Sequence, residues 1–240
     1  MRAKYLILIL FYSTILLSQK LEFNNKIEYE MNFMINNYNA VLLYNTEKSI
    51  FTYYDLAKNK EETDEDGNIN LTITDTIPHI IYNNIVETKL YNYTSIFSSN
   101  KHEWVEESTP NFNWIKINET KTINNLSCKK ATCNFRGRNY TAWYSPEMPT
   151  DLGPWKFQGL PGLILELYDS EHEVHFIVKK ISIPFNSSIA INPINTIPFD
   201  KVKQIQKEKT DELIKKIESK QERGFSIKVK VDNRQQIERE

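Results

Sequence analysis

Glycine is scarce in this chain, with six among 240 residues. Three of those six, together with two of the nine prolines, fall in the ten positions of "GPWKFQGLPG" that begin at Gly153. A glycine-poor chain has no phosphate-cradling loop of the P-loop type, and neither a Gly-x-Ser-x-Gly nor a His-Glu-x-x-His pattern occurs. Cysteine is also nearly absent. Cys128 and Cys133, in "CKKATC", make no disulfide framework, and a chain of this size buries enough core to do without one. Charge of one sign is lacking: the formal net charge is −1, so nothing draws the chain to a phosphate backbone or an anionic bilayer, and nucleic acid is not expected as a partner. After the N-terminus no apolar run approaches membrane length, so no integral membrane segment is expected in the mature chain.

What is present fits one globular domain: 40% hydrophobic and 25% charged residues. The chain opens "MRAKYLILILFYSTILLSQK", with Arg2 and Lys4 ahead of an apolar run from Tyr5 to Leu17. That run is too short to span a bilayer comfortably and reads as a secretory signal over residues 1–18, with cleavage most simply after Ser18. No Cys follows it, so a bacterial lipobox is not supported. The expectation is a single domain over residues 19–240, exported to the periplasm, the cell surface or beyond.

Period-two alternation places a strand at "KIEYEMNF", with Ile27, Tyr29, Met31 and Phe33 on one face, and this strand is expected to open the sheet. "AVLLYNTEKSIFTYY" follows as a hairpin broken at Asn45–Lys48. "AKNKEETDEDGN" reads as a solvated loop. Two runs broken near Asn83 and Asn84, then "KHEWVEES", add short strands, and "NWIKINETKTI", "SCKKATCNF" and "NYTAWYS" add three more around a tight turn at Gly137. "PEMPTDLGP" cannot be a central strand and is read as a crossing loop. Leu160-Pro161-Gly162-Leu163 has the composition of a type II turn leading into "LILELYD", and "SEHE" turns into "VHFIVKKISI". From Pro198 an amphipathic helix is expected, with Asp200 as N-cap, Gly224 as C-terminal stop and a thin stripe of Val202, Ile205, Leu213, Ile214 and Ile217 lying against one edge of the sheet. The tail "FSIKVKV" is a further possible strand. The fold class is therefore α+β, mostly β: one curved, half-barrel-like antiparallel sheet with one C-terminal amphipathic helix.

The segments "NWIKINETKTI", "CKKATCNFRGRNYTAWYSPEMP" and "GPWKFQGLPGLILELYD" resemble the GLPGLI family of the Bacteroidetes, named after the hexapeptide at Gly159–Ile164. The likeness covers roughly residues 112–170 and is weak outside them. It implies an exported protein of unknown biochemical role and transfers no catalytic residue.

Two readings of the motif stand beside each other. In the first, Gly153, Pro154, Trp155, Lys156, Phe157, Gly159, Leu160, Pro161, Gly162, Leu163 and Ile164 form a binding loop that presents Trp155 and Lys156 at the surface. In the second, the glycines give backbone shapes that let the loop pack, while Leu160, Leu163 and Leu165 fill the core. Other constellations are weaker. His172 and His175 have opposite strand parity and could share a metal only if His172 sits in a turn, with His79, His102 and the cysteines as distant candidates. On one extended strand, Cys128 and Cys133 would lie about 16 Å apart, so they could bond only if "KKAT" is a turn, and Cys128 has no neighbouring His to activate it. Glu166 and Asp169 are a possible carboxylate pair. No metal, cofactor or catalytic residue is expected. The reading is a non-catalytic binding or interaction module whose partner is an envelope protein or an amphiphile. The alternatives are a carrier of a hydrophobic ligand and, behind it, a metal-handling or hydrolytic protein.

Overall fold

The computed structural model describes residues 20–55, 60–63, 69–72, 78–95 and 102–219. The first half holds β1 (Lys20–Phe23), β2 (Asn25–Phe33), β3 (Asn36–Tyr44), β4 (Lys48–Asp55), β5 (Lys60–Thr63), β6 (Ile69–Thr72), β7 (His79–Asn84), β8 (Lys89–Ser95) and β9 (His102–Ser108). The second half holds β10 (Ile115–Ile123), β11 (Leu126–Phe135), β12 (Arg138–Ser145), β13 (Leu163–Asp169), β14 (Val174–Ser182), β15 (Ser187–Ala190), β16 (Ile197–Pro198) and α1 (Phe199–Ser219). Twelve strands make one sheet in the order β10-β11-β12-β13-β14-β2-β3-β4-β7-β8-β9-β16, antiparallel except for the short β16 against β9. Two small sheets, β1-β15 and β5-β6, stand apart from it.

The alternation that marks β2 as a strand also fixes its buried face, Ile27, Tyr29 and Met31. It does not lie at the start of the sheet, however. β14 pairs on one side, with Phe176 opposite Met31, and β3 pairs on the other. Alternation records which side chains are buried and carries no information about which later strand will align. Tight turns behave as their residues dictate. Asn124 and Asn125 join β10 to β11 with φ of 49° and 63°, and Arg136 and Gly137 join β11 to β12 with φ of 43° and 75°. Two successive positive φ values match the right-handed twist of the strands on either side.

The sheet is strongly curled. Glu107, on the strand eleventh in the order, forms an ion pair with Arg136, which follows the strand second in the order. Only a sheet bent back on itself brings those side chains together, and its end strands β10 and β16 are not hydrogen-bonded to each other, so the curl stays open. One continuous apolar cluster fills the inside, from Ile81 and Leu90 across Tyr29, Leu42 and Phe176 to Ala142 and Leu167. On the outer face, Leu21 and Phe23 of β1 cover Leu43, Ile50 and Tyr82.

Four sequence readings need correction here. Residues 146–162 do not cross the sheet: they join the adjacent strands β12 and β13 and fold into the curl. The acidic stretch read as a loop contains β5, which pairs with β6. Asp200 lies in the first helical turn and does not cap the helix from outside. Leu160–Leu163 is not a type II turn, as described below. The helix does lie on the sheet edge, through Val202 and Ile205 against Val105 and Ile197. The signal segment, Gly224 and the "FSIKVKV" stretch lie outside the described residues. Among those described, no helix is long and apolar enough to cross a membrane.

Candidate functional site

The glycine- and proline-rich loop sits inside the curl. Its conformation is set by its own backbone bonds: Phe157 N–H donates to Pro154 O at 3.1 Å, Gly159 N–H to Asp151 O at 2.8 Å, and Ile164 N–H to Leu152 O at 3.0 Å. Gly162 N–H donates to Leu160 O at 2.8 Å, a three-residue turn around Pro161, while Leu163 N–H reaches back to Met148 O at 3.3 Å. The four-residue type II turn would need Leu163 N–H for Leu160 O and a φ near +80° at Gly162; the observed φ is +147°. Packing against the start of the loop took precedence over the local turn.

Of the eleven motif residues, Gly159 and Pro161 are exposed and the other nine are buried. Trp155 and Lys156, read as surface residues, are 7% and 3% exposed. Phe157 meets Tyr140 with ring centroids 4.6 Å apart and Phe112 at 4.9 Å, and Trp155 meets Phe157 at 5.5 Å. Gln158 of the loop accepts hydrogen bonds from two distant parts of the sheet. Trp114 Nε1 donates to Gln158 O at 2.8 Å, and Asn83 Nδ2 of β7 donates to Gln158 Oε1 at 2.9 Å.

A buried charge cluster ties the loop to the curl. Lys156 Nζ and a guanidinium nitrogen of Arg136 both pair with the Glu107 carboxylate. Phe199, at the start of α1, lies 4.3 Å from the Arg136 guanidinium and 5.5 Å from Lys156 Nζ. One carboxylate thus holds two cations beneath an aromatic ring, and it joins β9, the β11–β12 turn, the loop and the helix. A second buried ion pair lies on β12 and β13: Arg138 Nη1 donates to Asp169 Oδ2 at 2.5 Å and Glu173 Oε2 at 2.8 Å, and Asp169 Oδ1 accepts the backbone N–H of Glu173 and Val174. Glu107, Arg136, Arg138 and Asp169 were not singled out by the sequence as a group. The only local signal was the pair of arginines flanking Gly137, and Glu107 had none.

The remaining candidates do not assemble. Cys128 and Cys133 are both on β11, buried and unbonded to each other. Burial pushes both thiols up, that of Cys133 to about 12. We expect neither to react appreciably with iodoacetamide in the folded protein at neutral pH, and both to be labelled in denaturant, as read by intact mass. His172 is indeed in the turn, with φ of 57°, but it stacks on Tyr168 at 5.5 Å, whereas His175 Nε2 donates to Glu166 Oε1 at 3.1 Å. Carboxylate oxygens of Asp169, Glu171 and Glu173 lie within 4.8 Å of one another, but two of these groups are already ion-paired with Arg138. Glu166 and Asp169 form no pair, since Glu166 is held by Lys121 and His175.

Those two partners give Glu166 a carboxyl held below the usual range, through the His175 hydrogen bond first and the Lys121 bond after it, against the opposing effect of burial. A lowered folded-state pKa favours folding above the unfolded value and ceases to do so once pH falls through the folded one. Stability of the wild type should therefore drop as pH falls from about 4.3 toward the lowered value. Glu166→Gln should flatten that part of the profile, as read by urea midpoints between pH 3 and 6.

Fold and site define a curled, open antiparallel sheet plugged by its own loop. Residues 135–166 match a family model described as "Protein of unknown function (Porph_ging)". That segment runs from Phe135 to Glu166 and so contains both cations of the cluster and every residue of the motif. No curated protein matches the chain. Among solved structures the chain is similar to PNGF-II, 14% identical with a TM-score of 0.51, over 78% of this chain and 33% of that one. The same protein in a second space group gives 13% identity and a TM-score of 0.49 over the same shares of each chain. The chain spans about a third of the length of these structures, and the likeness concerns the fold alone.

Proposed function

We propose that the chain is an exported, non-catalytic binding or interaction module of the GLPGLI type, in which the family motif is the internal brace of the fold. The observation that carries this reading is the burial of Trp155 and Lys156 in the curl, with Lys156 paired to Glu107 of β9, which also holds Arg136 at the β11–β12 turn. A binding role for the motif would need those side chains at the surface, and a half-barrel carrier would need for its ligand the space that Phe157, Trp155 and Leu160 fill. The raised thiols, the histidines held by different partners and the ion-paired carboxylates favour binding over chemistry. Export is supported by the basic and apolar pattern of residues 1–18.

Native mass spectrometry of the protein purified from its host envelope without chelator tests the reading. We expect the mature chain, shortened by the signal segment, in a protein complex of fixed stoichiometry and without lipid or metal mass. An amphiphile or metal retained at one equivalent would overturn the interaction reading, and an unprocessed chain in the cytoplasm would overturn export.

A further inference from the structure

One end of the large sheet, β10, pairs only with β11 among the described residues, which leaves a nine-residue strand with one free edge. It is the most exposed long strand of the sheet, with Ile115 64% exposed at its start. Its pairing to β11 slips between Ile117 and Thr120, so Asn118 and Glu119 have no residue opposite them on that side. Charges and a bulge are devices that discourage indiscriminate edge pairing, yet the order of charges on this edge is self-complementary.

A symmetric antiparallel pair has its two-fold axis through one residue that faces its own copy, because hydrogen-bonded and non-hydrogen-bonded pairs alternate and are not interchangeable. With the axis at Glu119, two carboxylates would face each other; at Lys121, two ammonium groups would. With the axis at Thr120, Glu119 faces the copy's Lys121 and Lys121 faces the copy's Glu119. Ile117 then faces Ile123 and Asn118 faces Thr122. The residues skipped by β11 acquire partners in this register. Each new charge pair also extends an existing one, since Glu119 is already bonded to Lys130 and Lys121 to Glu166. Opposite charges facing across strands stabilise a sheet and like charges oppose it.

We infer that β10 is a homodimerisation edge on which a second copy of this chain adds antiparallel, with Thr120 on the two-fold axis. This extends the interaction reading by naming one partner. The joint is one pair of strands and therefore small, so the dimer is weak and forms at high protein concentration.

The test is sedimentation velocity of the mature chain from 5 to 300 µM in 20 mM and 500 mM salt, together with crosslinking of variants that each add one exposed cysteine to the buried Cys128 and Cys133. A monomer–dimer equilibrium weakened at least threefold by the higher salt is expected. Glu119→Lys, at a side chain about half exposed, should abolish the dimer while lowering the monomer's thermal midpoint by no more than about 4 °C through loss of the Lys130 pair. Facing residues bring Cα atoms to about 4.5–5.5 Å, within disulfide range. Thr120→Cys should therefore form a covalent dimer under mild oxidation, at least tenfold faster than Asn118→Cys or Thr122→Cys. A wild type that stays monomeric at 300 µM would overturn the inference and leave the interaction reading to the envelope preparation. So would a dimer that survives Glu119→Lys, or one in which Thr120→Cys crosslinks no faster than its neighbours.

Discussion

Gly162→Ala is expected to give no stably folded protein. A Cβ at this position would stand 2.2 Å from Ser145 O, 2.5 Å from Ser145 C and 2.7 Å from Pro146 N, all backbone atoms where the loop leaves β12. Real Cβ contacts do not go below about 3.0 Å, so the end of β12 and the loop would have to separate, breaking the Leu163–Met148 bond as they did so. The φ of +147° adds strain for any L side chain. We expect a loss of more than about 4 kcal/mol, large against the margin by which domains are stable. The neighbouring glycines set the scale. Gly153→Ala meets Ile164 side-chain atoms at 2.7 and 2.8 Å and should cost about 1–3 kcal/mol, since part of that side chain can shift. Gly159→Ala meets nothing within 4 Å and suffers only from its φ of +90°, about 1 kcal/mol. The order Gly162, Gly153, Gly159 in chemical denaturation is the check. A binding loop at the surface, in which the glycines frame Trp155 and Lys156 without packing against the sheet, would predict comparable and small effects at all three.

Glu107→Ala comes next, with an expected loss of about 3–5 kcal/mol. The Glu107, Arg136 and Lys156 side chains are 6%, 12% and 1% exposed, so deleting the carboxylate leaves two cations in a dry interior. Much of that cost is the loss of a counter-charge from buried cations rather than the net worth of the pair. Replacing Lys156 with Met as well should therefore recover part of the stability lost in Glu107→Ala, and a double-mutant cycle by urea denaturation measures the coupling. The pair Lys179–Glu30 serves as a control. Its side chains are 60% and 41% exposed, and breaking it should change stability by less than about 1 kcal/mol. An unchanged urea midpoint for Glu107→Ala would remove the charge cluster from the account of how the loop is held.

The sequence by itself determined most of the strands, several of their turns and the crowding at the motif. Period-two alternation in β2 and β14 is a local consequence of one face being buried, and it can be read without knowing the neighbours. Arg136-Gly137 can be read as a hairpin because the strand twist demands positive φ, which glycine supplies without strain. Three glycines in ten residues signalled a backbone under steric constraint.

What the constraint was, only the tertiary structure decided. Gly162 is needed because of Ser145, seventeen positions earlier, and Gly153 because of Ile164, which the turn at Pro161 brings back beside it. The same holds for the side chains. Lys156 reads as a surface residue in any short window, because a lone ammonium is almost never fully buried. It is buried here because Glu107, on a strand seven places beyond β13 in the order, is carried to it by the curl of the sheet. Curvature is a property of all twelve strands together, and no stretch of sequence encodes which two distant strands it will bring into contact.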